Sequence, residues 1–337
     1  MQVNWKMVQH QLKEPFKIAY GVYDFRKALI VSIDYEGKTG YGECTEIDYY
    51  RIHITDFVYD LERIQPLFST LEMEHPFDFF KKLQSFSLHP FLQSALDCAY
   101  WDLYGKLHNQ TFAELNQLKT KDFPQSSITI SIGEEAAQIA KIKSLDWDYC
   151  KVKVCHWSNS LRDLLLETGK KISIDSNGSF SPELCEQIAN DPLSQHFLYF
   201  EQPMPKGSEF YQKLTRDGYA NWMADEDVQT IEDLEALVPH YPSLNIKVMK
   251  CGGLTPALEL LKKAKVMHFK MMIGCMTEST VGISAGIALA TFADYLDLDG
   301  ANLLANDSFT GAKIVNGEVI LSGGVGLGIE VWRKMVY

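Results

Sequence analysis

Two lysines, Lys151 and Lys153, alternate in YCKVKVC (149–155), a run that otherwise has the apolar character of a buried strand. Successive strand side chains point to opposite faces, so residues i and i+2 share one. An ammonium group in a dry interior stays charged only beside carboxylates or at a metal site, and otherwise gives up its proton. Such a pair can therefore hold anionic oxygens or act as an acid–base group, and either role requires carboxylates nearby.

The elements that must position these groups are legible from about residue 126 onward. Short apolar runs alternate with helical stretches: SITISI (127–132), CKVKVC (150–155), KISIDSN (171–177), FLYFEQP (197–203), NWMADED (221–227), LNIKVMK (244–250), KMMIGCM (270–276) and YLDLDG (295–300). Strands followed by helices such as PALELLKKAKV and VGISAGIALATFA predict a parallel (β/α) barrel whose last helix is missing or displaced. An open doubly wound sheet would carry a GxGxxG phosphate turn after an early strand, and the sequence has none. Before the barrel, KALIVSIDYEGKTGYGECT (27–45) reads as a hairpin. PFLQSALDCAYWDLYGKLHN (90–109) reads as a packed amphipathic helix with Pro at its start. The closing AKIVNGEVILSGGVGLGIEV (312–331) returns to hairpin-like alternation and is expected to pack back on this first part.

Active sites of parallel barrels lie at the C-terminal ends of the strands. There the chain places Lys151 and Lys153, then Asp175, Glu201, Asp225, Lys247, and Asp297 with Asp299. Singly, each has a plain reading: Asp175 and Asp225 as helix N-caps, Lys151 or Lys247 as stems snorkelling to the surface, DLDG as a solvated Asp-Gly turn. Glu201 resists such a reading, because strongly apolar FLYF precedes it. Together the set points to a site. Three carboxylates from consecutive strands make an all-oxygen site that suits Mg²⁺, whereas zinc would call for His or Cys, and the nine histidines form no HxxxH or HxH pair. A lysine beside a divalent cation and a second lysine is expected to have its pKa lowered, which makes a neutral amine available as a base. On this reading Lys153 is a base and Lys151 faces carboxylate oxygens.

KVK (151–153), DSNGSF (175–180), EQP (201–203), ADED (224–227) and NIKVMKCGG (245–253) together resemble the enolase superfamily, muconate-lactonising-enzyme subgroup. The resemblance spans nearly the whole chain, including YGECT and GVGLGIE. It implies a (β/α)7β TIM-like barrel (121–311) under an N-terminal α+β capping domain (1–120), completed by a C-terminal tail (312–337). It also implies Asp175, Glu201 and Asp225 as Mg²⁺ ligands. Lys153 and Lys247 would be acid–base partners on opposite faces of a substrate α-carbon, the superfamily's use of a Lys base with Mg²⁺ and an ene-diolate. Two positions depart from the pattern: Asp227 stands where Ser is frequent, and Ser176 where Ala is usual.

DLDG (297–300) further resembles the DxD signature of dipeptide epimerases, in which two aspartates hold the α-ammonium of the substrate. Asp297 and Asp299 on one strand face would make an acceptor-rich pocket for a cation. TIS (129–131) and GCM (274–276) resemble substrate-contacting stretches and point to Thr129 and Cys275, while Lys151 would meet the substrate carboxylate. The implied reaction is epimerisation of a dipeptide such as L-Ala-D/L-Glu at its C-terminal residue, as in recycling of cell-wall peptides, without a redox cofactor. Glu-specific relatives carry a flap arginine. The matching stretch FKIAYGVYDF (16–25) has Tyr20 and Gly21 instead, which leaves Lys17 or Arg26 as substitutes and a less charged second residue as an alternative. o-Succinylbenzoate synthase or a cycloisomerase would use the same metal and lysines without an ammonium pocket, and a catalytically silent barrel would act as a binding protein.

With 337 residues, 46% of them hydrophobic, the chain can bury a large core. Its formal charge of −12 argues against nucleic acid or an anionic membrane as partner. Seven scattered cysteines without a CxxC pair suit a reducing cytoplasm. The first residues lack the apolar core of a signal peptide, and no run reaches the length of a membrane span. A cytoplasmic enzyme acting on a small molecule is expected, and a homo-oligomer is compatible with it.

Overall fold

The computed structural model describes residues 1–331 apart from 208, 210–213 and 215. Long strands β1 (Gln2–Ile18) and β2 (Gly21–Tyr35) form an antiparallel hairpin, and β3 (Lys38–Thr45) pairs with β2 to complete a three-stranded sheet. The β1–β2 register shifts between Gln11 and Phe16, just before the hairpin tip. Three helices follow: α1 (Ile54–Phe68), α2 (Pro76–Ser85) and α3 (Pro90–His108). Both α2 and α3 begin with proline, whose missing N–H costs nothing there. In each, the side chain of the histidine before the proline accepts the N–H of the residue after it, Phe77 or Phe91.

The α3 helix departs from the amphipathic expectation. Its buried residues run round the helix and include Asp97 and Asp102, because it lies between β3 and the barrel instead of on the surface. Asp97 accepts from Thr255 N and Oγ1, both at 2.8 Å, and Asp102 from Tyr41 N at 3.0 Å and Leu327 N at 2.8 Å. Contact with β3 is close enough that only glycine fits: a Cβ on Gly42 would lie 1.9 Å from the Ala95 carbonyl oxygen. Overpacking of this kind, against backbone that cannot swing away, is expected to make Gly42→Ala less stable by about 3 kcal/mol or more. A lowered urea midpoint at unchanged slope would show it, and an unshifted midpoint would contradict the close approach.

The eight expected strand runs form one parallel sheet in chain order: β4 (Ile128–Ile130), β5 (Tyr149–Lys153), β6 (Lys171–Asp175), β7 (Phe200–Glu201), β8 (Trp222–Ala224), β9 (Ser243–Lys247), β10 (Lys270–Gly274) and β11 (Tyr295–Asp297). A parallel bridge between Ser126 and Leu296, with Ser127 N donating to Leu296 O at 2.9 Å, joins last to first. The strands are shorter than the runs suggest: of FLYFEQP only Phe200 and Glu201 pair, and β9 ends at Lys247. VMK (248–250) is helical, within Val248–Cys251. Tyr199, Met223 and Met272 fill the barrel interior, so it is a packed core with a floor, not a pore. Of the tail, Glu330–Val331 pairs with Phe309–Thr310 before it, and Gly326 O accepts from Phe112 N at 2.9 Å beside α3. Residues 332–337 of the expected tail lie outside the described residues.

Candidate active site

Strand register brings the charged ends to one level. Lys153 pairs with Asp175 and Asp175 with Glu201, while Gly274 pairs with both Lys247 and Asp297. Asp225 follows β8 directly. All of these residues except Gly274 carry a charged side chain, and every one of those side chains is buried. The plain readings therefore fail. Neither lysine snorkels, and the helices after β6 and β8 take their caps from Ser181 and Thr230, not from Asp175 and Asp225.

Each carboxylate meets an ammonium group. Lys153 Nζ donates to Asp175 Oδ2 at 2.6 Å and to Asn177 Oδ1 at 3.1 Å. Lys247 Nζ donates to Asp225 Oδ2 at 2.8 Å. Lys151 donates to Asp297 and lies 3.4 Å from Glu201 Oε2 and 3.8 Å from Asp175 Oδ2. Burial alone would raise the Asp225 pKa, but Lys247 and Lys250 hold it well below the usual carboxylate range. The same contest lowers Asp175, through Lys153 and Lys151. Burial and the neighbouring Asp175 push Glu201 up to about 8. The lysines depart from expectation: burial would lower Lys151 and Lys247, but the surrounding carboxylates raise both above the ordinary lysine range. A lowered pKa requires positive charge close by to outweigh those carboxylates.

The expected substrate residues surround one cavity of about 730 Å³, its open mouth included, which Thr129, Lys151, Lys153, Asp225, Lys247, Cys275, Asp297 and Asp299 help to line. Asp297 and Asp299 do not share a strand face, because β11 ends at Asp297 and Asp299 has helical backbone. Their oxygens converge nonetheless. Asp297 accepts from Ser127 Oγ at 2.8 Å as well as from Lys151, and Asp299 accepts from Thr129 N at 2.6 Å. Burial and Asp297 push Asp299 up to about 6. Lys17 is exposed and absent from the cavity lining, whereas Arg26 is buried in it.

Several residues were not anticipated. Lys250 is buried and donates to Asp225 Oδ1 at 2.5 Å and to Asn245 O at 3.2 Å. Its spacing of three from Lys247 was the available signal, since the helical turn after β9 carries it back over the barrel mouth. Glu226 accepts from Tyr20 Oη at 3.2 Å, which ties the hairpin tip to the barrel, and Tyr20 also donates to Asn177 O at 2.8 Å. Asn177 and Gln202 have positive φ, 45° and 36°. Such strain at strand ends persists only when its surroundings hold it, and Gln202 is held by bonds to Asp225 N at 3.0 Å and Asp227 Oδ2 at 2.8 Å. The two departures from the family pattern have structural partners: Ser176 Oγ donates to Gln202 O at 2.9 Å, and Asp227 also accepts from Tyr241 Oη at 3.1 Å.

Among the described residues no three His, Cys, Asp or Glu side chains are drawn together closely enough to cage a metal as they stand, since each carboxylate is turned to an ammonium group. The donor set nonetheless fits Mg²⁺. It is all carboxylate oxygen on neighbouring strands, and Glu201 Oε2 is buried without a hydrogen bond.

Residues 134–335 match the family model described as enolase C-terminal domain-like. An L-Ala-D/L-amino acid epimerase from Maribacter sp. is 37% identical over 321 residues, covering 93% of this chain and 94% of the relative. An L-Ala-D/L-Glu epimerase from Bacteroides thetaiotaomicron is 29% identical over 313 residues, covering 89% and 80%. The crystal structure of a dipeptide epimerase from Enterococcus faecalis, complexed with Mg and L-Leu-L-Tyr, superposes with a TM-score of 0.86 at 26% identity, over 97% of this chain and 98% of that one.

Proposed function

The chain belongs to the enolase C-terminal domain-like family, and from that premise we propose that it is a Mg²⁺-dependent dipeptide epimerase. It moves the α-proton of the C-terminal residue of a dipeptide, such as L-Ala-D/L-Glu, from one face of the α-carbon to the other. The observation that carries this reading is the placement of Lys153 and Lys247. They end β5 and β9, four strands apart in a ring of eight, and so reach the cavity from opposite sides.

Asp175, Glu201 and Asp225 would hold the Mg²⁺. When bound, the cation supplies positive charge for the substrate carboxylate and offsets the carboxylates that keep Lys247 protonated. Lys153 takes the α-proton of one stereoisomer and Lys247 delivers a proton to the opposite face; for the other stereoisomer the roles exchange. Lys151 holds the substrate carboxylate, whose negative charge grows as the proton leaves. Asp297 and Asp299 receive the α-ammonium, with Thr129 and Cys275 on the same wall. The packed floor closes the cavity below the reacting centre, and Tyr20 ties the hairpin tip to its rim. We place the reaction in the cytoplasm, in the recycling of cell-wall peptides. In support, all seven cysteines are unpaired, which suits a reducing compartment, and no described helix is long and apolar enough to cross a membrane.

Incubating the protein with Mg²⁺ and a dipeptide library in D₂O tests the reading. Uptake of one α-deuterium per substrate, seen by mass spectrometry, is the expected result, and no uptake by any dipeptide overturns it. The ammonium pocket has its own test. Two buried acceptors disfavour a neutral amide in place of a cation, so N-acetyl dipeptides should react about 10²-fold more slowly or worse. Equal rates for acetylated and free dipeptides would remove the dipeptide reading and favour the synthase chemistry.

A further inference from the structure

The two lysines are held in place by different parts of the molecule. Lys153 is held within the barrel: its carbonyl oxygen accepts from Gln138 Nε2 at 3.0 Å, and Val154 N donates to Asp175 O at 3.0 Å. Its link to the cap runs through Asn177 to Tyr20 at the hairpin tip, not through α3. Lys247 ends β9, and the chain beyond it makes the helical turn Val248–Cys251, passes Gly252 and Gly253 with φ of 90° and 132°, and enters the helix Leu254–Val266. This segment lies against α3. Val248 O accepts from Ser94 Oγ at 3.3 Å as well as from Gly253 N at 3.1 Å. Gly253, at the head of the helix, has no side chain with which to cap it, and Asp97 of α3 takes that part: Oδ2 accepts from Thr255 N and Oδ1 from Thr255 Oγ1, both at 2.8 Å. Trp101 Nε1, one turn further along α3, donates to the same hydroxyl at 2.9 Å. The approach leaves no room to spare, since a Cβ on Gly253 would lie 2.4 Å from Asp97 Oδ2.

Asp97 is fully buried, and no step of the proton transfer uses it. A carboxylate in such a place is costly, and the cost is offset in part by the N–H groups and the dipole of the helix it caps. Two bonds of fixed direction admit one placement of the helix start. The turn that joins it to Lys247 is then gripped from both sides, by Lys250 on Asp225 and Asn245 in the barrel and by Ser94 and Asp97 from the cap. We infer that Asp97, together with Ser94, is a positioning residue for Lys247, so that the cap sets the reach of one of the two bases and leaves the other to the barrel. The inference rests on the two-base reading above.

The test supplies each epimer of the pair that exchanges fastest in the dipeptide library separately, with Mg²⁺ in D₂O. Deuterium recovered in the starting epimer reports return by the lysine that took the proton, and deuterium in the other epimer reports delivery by the opposite lysine. The ratio of the two does not depend on how much protein is folded, so a loss of stability alone leaves it unmoved. In Asp97→Ala delivery by Lys247 should slow about 10-fold, as expected of a small misplacement of a reacting group. The retained-to-inverted ratio should therefore rise about 10-fold from the epimer that Lys153 serves, the one still labelled by Lys247→Ala, and fall about 10-fold from the epimer that Lys247 serves. Asp97→Asn, nearly isosteric and still able to accept from Thr255 N, should shift both ratios in the same sense by less, and it becomes the deciding measurement if the alanine variant does not fold. Ratios unmoved in a folded variant would make Asp97 a tie between domains and nothing more, and ratios shifted in the opposite sense would place the effect at Lys153. Either result overturns the inference and leaves the dipeptide reading standing, whereas absence of exchange with every dipeptide by the unmodified protein removes both.

Discussion

Lys153→Ala and Lys247→Ala are each expected to stop epimerisation, by about 10³-fold, and to fail in opposite stereochemical senses. With the two amines on opposite sides of the cavity, each can reach the α-hydrogen of only one stereoisomer. Removing one leaves the other able to exchange that proton with solvent but leaves nothing to deliver a proton to the far face. In D₂O with Mg²⁺, one variant should place deuterium in the L residue without forming the D residue, and the other the reverse. Residual exchange will be slow, because the lost ammonium also changes the field on its neighbours. The informative reading is therefore which epimer takes up deuterium, followed by chiral chromatography of the recovered dipeptide. Interconversion of the epimers at a near-native rate by either variant would sink the two-base mechanism.

Comparable in size is the effect expected of Glu201→Gln. The change is nearly isosteric at a side chain 1% exposed, and a glutamine oxygen can still accept the 2.6 Å bond that Asn245 Nδ2 gives to Oε1. Packing should survive. The loss is the negative charge and the anionic Oε2, the buried oxygen without a hydrogen bond. A carboxamide presents an N–H₂ or a neutral oxygen there, a poor donor for a hard divalent cation. Exchange should fall by about 10³-fold or more, the several kcal/mol that a metal contributes to charge stabilisation. Calorimetric titration should show Mg²⁺ binding lost, with the thermal midpoint measured alongside to establish an intact fold. Native Mg²⁺ affinity together with native turnover would mean that the metal sits elsewhere.

What the sequence disclosed of this site follows a physical pattern. Lys153, Asp175, Glu201 and Lys247 could be read because each is an ionisable residue at or near the C-terminal end of an apolar strand run, and in a parallel barrel those ends share one rim. Lys250 escaped because it belongs to the helical turn after β9, where strand periodicity no longer tells direction. DLDG could be read as two acids in reach of one pocket, but not as a strand end followed by a helical turn, since both backbones space the acids closely. The strands came out shorter than their runs: in β7 only Phe200 and Glu201 pair in the ladder, although FLYF is apolar throughout. Side-chain pattern reports burial, and buried chain outside a ladder looks the same. The all-round burial of α3 was hidden likewise, because a helix caught between two layers has no solvent face to mark with polar residues.

The seam between β4 and β11 bears on how the molecule comes into being. Ser127 and Leu296, which meet there, are 169 positions apart in the chain, so ring closure is a contact of very high sequence separation. Loop closure grows costly with such spans, and folds that depend on them form slowly. Until the seam closes, β4 and β11 are open edges of a parallel sheet, the kind of surface on which chains pair with one another. The proposed ammonium pocket straddles this seam, with Asp299 on one side and Thr129 on the other. The part of the site proposed to bind a free amino terminus thus takes shape in the same contact that removes the sheet's exposed edges.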